Sequence, residues 1–265
     1  MSVADRWAVG AAYETYMARW SRRVAQPFVA WLGVEDHAEW LEVGCGTGAL
    51  TAAICEFGKP SSVLACDPSG PFLDAASVAV PDKRVTFELA DGEHLPESAE
   101  DFDAVVSGLV LNFLPDPERA LRVMRQRLRP GGLLGAYVWD YAGGVDFLRH
   151  FWEEAIALDP RAASLDESRR FATFSAGGLA SLFEAVGLVE VEVKGLEVST
   201  PFANFEDYWQ PFLGRTGPAP SYLGSLDGEQ RERLKERLQQ RLPPAEDGRI
   251  LLQARAWAVR GRDPA

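Results

Sequence analysis

Short apolar runs alternate with stretches in which apolar positions recur every three or four residues through the first half of the chain. The runs lie at roughly 38–43, 62–66 (SVLAC), 84–89 (RVTFEL), 103–107 (DAVVS) and 132–139 (GLLGAYVW) and read as strands. The segments 48–57, 70–79 and 116–128 read as helices, and Pro71 suits the first turn of the second. Residues 11–32 have a helical pattern but carry Pro27, which predicts a second helix starting there or a kink in the first. This alternation predicts a parallel sheet with helices on both faces.

The pattern changes in the second half. Residues 145–158 (VDFLRHFWEEAIAL) read as a helix, and Ser175 is placed to cap another that ends near Gly187. A long strand with period-two alternation follows at 188–199. Then come about 50 residues without a strand: the aromatic-rich TPFANFEDYWQPF, the loop GRTGPAP and a charged helix over 226–242. The chain closes with a strand at 250–259. A connection that long inside a compact domain points to a functional role. No internal repeat or low-complexity tract is evident.

Composition narrows the function classes. The 265 residues include 47% hydrophobic ones, enough for a large core, and the formal net charge is −12. That charge disfavours a nucleic-acid partner, whose binding relies on phosphate neutralisation. Cys45, Cys55 and Cys66 form no C-x-x-C, and His37, His94 and His150 are scattered, so no metal site is expected. Cys45 and Cys66 read as buried reduced thiols. No apolar run approaches the length of a membrane span, and MSVADRWAVG lacks a signal-peptide core, so a cytoplasmic location is expected.

The densest chemistry lies in LEVGCGTGAL, residues 41–50, where a strand runs into a glycine turn and then a helix. Gly44, Gly46 and Ala49 satisfy G-x-G-x-x-G/A, and Asp67 lies where a ribose-binding acid is expected, so a dinucleotide is one reading. Glu42 argues against it. A carboxylate facing the turn would oppose a pyrophosphate by several kcal/mol, taking an effective dielectric of about 20. S-adenosylmethionine carries a sulfonium and an ammonium and no phosphate, which suits an acidic site.

With these residues in view, the chain resembles the class I S-adenosylmethionine-dependent methyltransferases, in a bacterial small-molecule branch. LEVGCGTG (41–48), VLACDPSG (63–70), LADGEHLP (89–96), DFDAVVSGLVLNFLPDP (101–117) and RLRPGGLL (127–134) resemble the family's blocks in the family's order. The resemblance implies an α/β fold: a Rossmann-like seven-stranded sheet in the order 3-2-1-4-5-7-6, last strand antiparallel, with helical lid insertions. It implies a single domain over 1–265, with a helical cap at 11–32, a cofactor-binding core at 38–140 and a lid insertion at 200–249.

The resemblance also implies roles. Gly44, Cys45 and Gly46 would approach the methionine portion, and Gly48 would allow close packing at the helix start. Glu42 would face the ammonium. Asp67 would accept both ribose hydroxyls, with Pro68 against the adenine. Asp91 would take the adenine amino group, Gly92 and Glu93 adding backbone contacts. Ser107, Gly108 and Leu109 would line the wall beside the sulfonium. Tyr16, Arg19 and Trp20 resemble a cap over the cofactor, Arg19 towards its carboxylate. Plainer readings stay open: Asp67 and Asp91 as turn residues, Glu42 as an exposed strand-end charge, Tyr16 and Trp20 as core and Arg19 as a solvated charge.

Methyl transfer is an in-line displacement in which alignment supplies much of the rate, and some acceptors also need a base. Asp140, after the fifth strand, is the candidate base, with a turn or capping role as its alternative; Tyr141 and His150 are weaker candidates. His94 reads as a loop residue. Among Phe202, Phe205, Tyr208, Trp209 and Phe212, half are expected in the core and the rest in an apolar lid. The expected partner is a small, apolar or aromatic acceptor, with no nucleic acid and no membrane. A catalytically silent S-adenosylmethionine-binding module and a nicotinamide oxidoreductase remain as alternatives.

Overall fold

The computed structural model describes residues 19–96, 101–214 and 217–264. Its seven strands are β1 (Glu39–Val43), β2 (Ser62–Asp67), β3 (Val85–Leu89), β4 (Phe102–Gly108), β5 (Leu128–Trp139), β6 (Val189–Phe202) and β7 (Ile250–Arg262). They form one sheet in the order β3-β2-β1-β4-β5-β7-β6, with β1 to β5 paired in parallel. The last strand runs antiparallel to its neighbours. Asp140 N–H donates to Arg255 O while Asp263 N–H donates to Gly132 O, so residue numbers fall along β5 as they rise along β7. The expected strand order is therefore the observed one.

By compactness the described chain divides into two units. One comprises Ser21–Val138, Thr173–Leu196 and the end of the chain from Ala256; the other comprises Trp20, Trp139–Ala172 and Glu197–Arg255.

In the first unit, β1 is buried from Trp40 to Val43 and β2 from Ala65 to Asp67, because helices cover both faces of a parallel sheet. On one face lies α1 (Arg19–Leu32), with Val24, Ala25, Phe28, Val29 and Leu32 buried. Gly135 lets this helix lie close: a Cβ there would sit 2.6 Å from Leu32 Cδ2. The helix continues through Pro27, and no second helix begins there. The lost hydrogen bond and ring clash cost about 3 kcal/mol. Burying that apolar stripe, at about 1.5–3 kcal/mol for each large side chain, offsets the cost.

On the other face, α4 (Pro117–Arg125) and α7 (Ala176–Ala185) bury Leu121, Met124, Leu179 and Phe183 against Leu41, Val105 and Leu134. Both helices start on side-chain caps. Asp116 accepts from Arg119 N–H at 2.9 Å, and Ser175, as expected, accepts from Gly178 N–H at 3.2 Å. The same unit holds α2 (Ala49–Ala53), which passes into a π-helical turn over Ile54–Gly58, and α3 (Gly70–Ala79), with Pro71 in its first turn.

The second unit is an aromatic-rich helical body. Its helices are α5 (Asp146–Leu158), α6 (Glu167–Arg170), α8 (Phe205–Trp209), α9 (Pro218–Ser225) and α10 (Gly228–Arg241). Phe202, Tyr208, Trp209 and Phe212 are buried and only Phe205 is partly exposed, so more of the segment is core than the expected half. Phe151 stacks on Phe212 at 4.5 Å, and Tyr208 donates its hydroxyl to Phe147 O at 2.9 Å. Trp20 meets Phe202 edge-on at 5.2 Å. The charged helix α10 begins on a capping box of Asp227 and Gln230 and is tied to Glu154 of α5 by Arg237 and Arg241.

Among the described residues no helix is long and apolar enough to cross a membrane. Also among the described residues, no group of three or more His, Cys, Asp and Glu is placed to hold a metal ion.

Candidate cofactor-binding site

The parallel pairing brings the carboxyl ends of β1, β2 and β4 together, which is where open α/β sheets bind ligands. β1 ends at Val43 and the chain turns through Gly44 (φ 78°), Gly46 (φ 54°) and Gly48 (φ 88°) before α2 begins. Two of these glycines answer to different constraints. A Cβ on Gly44 would stand 2.4 Å from Val110 Cγ2, so Gly44 is needed for the turn after β4 to close upon it. A Cβ on Gly46 would meet no protein atom within 4 Å, so the space over this backbone is open. Gly44 and Cys45 donate their N–H groups to Cys66 O at 2.8 and 2.9 Å, fastening the turn to the end of β2.

Asp67 completes that fastening. Its Oδ2 accepts from Gly46 N–H and its Oδ1 from Ser69 N–H, each at 2.9 Å. The carboxylate is buried at 6% exposure, and burial raises its pKa against the lowering effect of the two N–H donors. Each oxygen keeps a further lone pair for a ligand hydroxyl. Pro68, next to it, is exposed.

Glu42 lies inside the protein rather than at an exposed strand end, at 1% exposure. Its Oε2 accepts from the Thr51 hydroxyl at 2.6 Å. Burial pushes its pKa up to about 8, the Thr51 bond opposes that rise, and the nearby Asp67 charge adds to it. Two buried carboxyl groups thus flank an open glycine turn. Cys45 and Cys66 are buried, free thiols; burial raises both, Cys66 to about 12.

The other residues singled out in the sequence fall into place unevenly. Ser107 is buried and donates to Val43 O at 2.8 Å, so its hydroxyl ties β4 to β1. Gly108 accommodates the Tyr137 hydroxyl, which would lie 2.6 Å from a Cβ. Leu109 has φ 62°, a left-handed conformation uncommon for a side-chain-bearing residue, held by its N–H bond to Tyr137 O at 2.8 Å.

Asp91 Oδ1 accepts from the N–H groups of Glu93 and His94, both at 2.8 Å, and the His94 ring lies 3.0 Å away. The His94 bond holds the Asp91 carboxyl below its usual range. Gly92 is buried and Glu93 pairs with Arg119 at 3.1 Å. Tyr16 lies outside the described residues, as does the Arg19 side chain.

Asp140 belongs to the second unit. It is buried, and its Oδ2 receives Arg255 Nε and Nη2 at 2.9 and 2.6 Å. His150 sits between Arg149 and Arg241; burial and those two cations lower its pKa.

Two residues of the first unit escaped the sequence reading. Thr51 orients Glu42; its place in the first turn after Gly48, on the side facing back to β1, was the available signal. Asn112 is 7% exposed in the turn after β4, and its Nδ2 has no hydrogen-bond partner among the described residues. Nothing in the local pattern distinguishes it.

Residues 41–136 match a family described as "Methyltransferase domain". Over the whole chain, the fold is similar to an S-adenosylmethionine-dependent methyltransferase of Thermotoga maritima, with TM-score 0.54, 18% identity and coverage of 97% of this chain and 96% of that one. The family match places a methyltransferase domain at residues 41–136 of this chain. A second methyltransferase of similar fold is Haemonchus contortus phosphoethanolamine N-methyltransferase 2 in complex with S-adenosyl-L-methionine, with TM-score 0.59, 15% identity and coverage of 100% of this chain and 60% of that one. In sequence, trans-aconitate 2-methyltransferase of Deinococcus radiodurans is 34% identical over 115 residues, 43% of each chain. The chain spans about half the length of the curated relatives it matches, from 43% to 64% of the first four.

Proposed function

We propose that this chain transfers a methyl group from S-adenosylmethionine to a small-molecule acceptor. The observation that carries the reading is the pair of buried acids, Glu42 and Asp67, beside the open backbone of Gly46. This donor set fits the methyl donor: carboxyl groups suit an ammonium and a ribose diol, and the open glycine leaves room for close approach.

In this reading the remaining lone pairs of Asp67 take the ribose hydroxyls, and Glu42 faces the ammonium and ionises as it is paired. Gly44, Cys45 and Gly46 present backbone to the methionine portion, while Gly48 admits Val80 and Ala76 at the start of α2. Pro68, Asp91, Gly92 and Glu93 are assigned to the adenine side, and Ser107, Gly108 and Leu109 to the wall, where Ser107 acts by holding β4 to β1. Tyr16, Arg19 and Trp20 remain assigned to a cap. When bound, the cofactor supplies a methyl group activated on a sulfonium. The protein's part is to align the acceptor with it and exclude water.

The acceptor is taken to be small and apolar or aromatic, the reading given by the aromatic-rich segment 202–212 of the sequence. The Deinococcus relative is likewise named for a small-molecule acceptor. Asp140 is the base candidate carried from the sequence. Its ion pair with Arg255 supports a second reading, a module that binds the cofactor without turnover.

Calorimetry with S-adenosylhomocysteine and with NADH tests the cofactor, and release of S-adenosylhomocysteine across a panel of small acceptors tests turnover. Binding of NADH in preference to S-adenosylhomocysteine would overturn the proposal. Binding without turnover on any acceptor would favour the silent module.

A further inference from the structure

Within the second unit, the turn after β5, one face of α5 and the start of α6 enclose a cleft of about 180 Å³, the space of roughly six water molecules. Its apolar wall is made by Tyr141, Leu148, Trp152 and Ile156. Glu167 also lines it, although the residue as a whole is only 3% exposed. The Trp152 indole N–H donates to Glu167 Oε2. Among the described residues Glu167 has no ion-pair partner, which is unusual for a carboxyl so deeply buried. The cation at the rim is already engaged: Arg149 pairs with Asp146 at 2.8 Å and with Glu153 at 3.4 Å. Asp166 adds a second carboxylate to the rim.

We propose that this cleft binds a small organic amine as its cation, with the ammonium against Glu167 and the carbon body against Trp152 and Tyr141. Three features select this chemistry. A cation is what a buried carboxyl lacks. Aromatic faces attract a cation as well as pack an apolar body. Asp166 at the rim adds a carboxylate, which disfavours an anion. Burial holds Glu167 up to about 8, so in the free protein at neutral pH the group is largely protonated, and pairing with an ammonium makes it ionise. The charged groups acting on it are Asp166, which caps its helix, and Arg170 within that helix; Arg149 and Glu153 of α5 and the Tyr141 phenol also line the cleft. The proposal stands on this unit alone and is independent of the transfer chemistry.

Benzylamine is a suitable probe, with benzyl alcohol as its neutral counterpart of the same shape. Calorimetry on the full chain at pH 7 should show the amine binding at least about tenfold more tightly than the alcohol. Comparing two buffers of different ionisation enthalpy should show close to one proton released per amine bound, as Glu167 ionises. Glu167→Gln keeps an acceptor for the Trp152 N–H and should abolish both the preference and the proton release, leaving the alcohol unaffected. The proposal is overturned if the amine shows no preference over the alcohol, if binding releases no proton, or if the preference survives in Glu167→Gln. The proton count is read on the unaltered protein, so it decides the matter even if the variant fails to fold.

Discussion

Replacing Glu42 by glutamine should change how stability depends on pH, by an amount the structure sets. The carboxyl is buried, and its pKa is raised from 4.5 to about 8. The folded state therefore holds a proton that the unfolded state has released between those two values. The stabilising contribution is complete below 4.5 and is lost as pH rises through 8. The slope is about 1.4 kcal/mol per pH unit for each such group. Glu167 shares the same range, so two groups together remove about 2.8 kcal/mol between pH 6.5 and 7.5. His150 is lowered from 6.5 and acts below this window. The glutamine side chain would still accept from the Thr51 hydroxyl and would carry no charge. Urea unfolding at pH 6.5, 7.0 and 7.5 should then show the Glu42→Gln protein losing about 1.4 kcal/mol per pH unit less than the parent, the difference in its favour growing with pH. Parallel lines for the two proteins would refute the reasoning, because they would mean that Glu42 does not change its protonation on unfolding in this range.

Three further outcomes are expected. Asp67→Asn should weaken S-adenosylhomocysteine binding by about 10- to 150-fold in calorimetry, since charge-assisted bonds are worth about 1.5–3 kcal/mol; unchanged affinity in a folded variant would remove Asp67 from the ribose site. Gly46→Ala places its Cβ in open space and should cost only the backbone penalty, about 1–2 kcal/mol, while impairing cofactor binding. Gly44→Ala drives a Cβ to 2.4 Å from Val110 and should lower the melting temperature much further. Equal thermal losses in the two glycine variants would contradict this distinction. Asn112→Leu removes a buried donor that has no partner among the described residues and should raise the unfolding free energy by about 1–3 kcal/mol, measured in urea.

Local pattern and spacing determined much of this protein. The five parallel strands, the glycine turn, the acid at the end of β2 and the cap of α7 were legible because each rests on period-two or 3.6-residue patterning, on positive φ, or on a side chain reaching a neighbouring N–H. Glu42 was legible as chemistry, through its charge two residues before Gly44. What patterning could not give was the partner of each polar group, because those partners come from distant segments. Whether Glu42 lay buried depended on the packing of Thr51 and the sheet above it. The ion pair of Asp140 with Arg255 and the tie from Ser107 to Val43 each join positions more than 60 residues apart. The passage of α1 through Pro27 likewise rests on the burial of Phe28 and Leu32 against β5, which outweighs the local penalty of proline. The aromatic segment after β6 showed helical spacing in the sequence, but spacing names a face and not what covers it. Only the folding of α8 onto Phe147 and Phe151 decided that most of those rings are core.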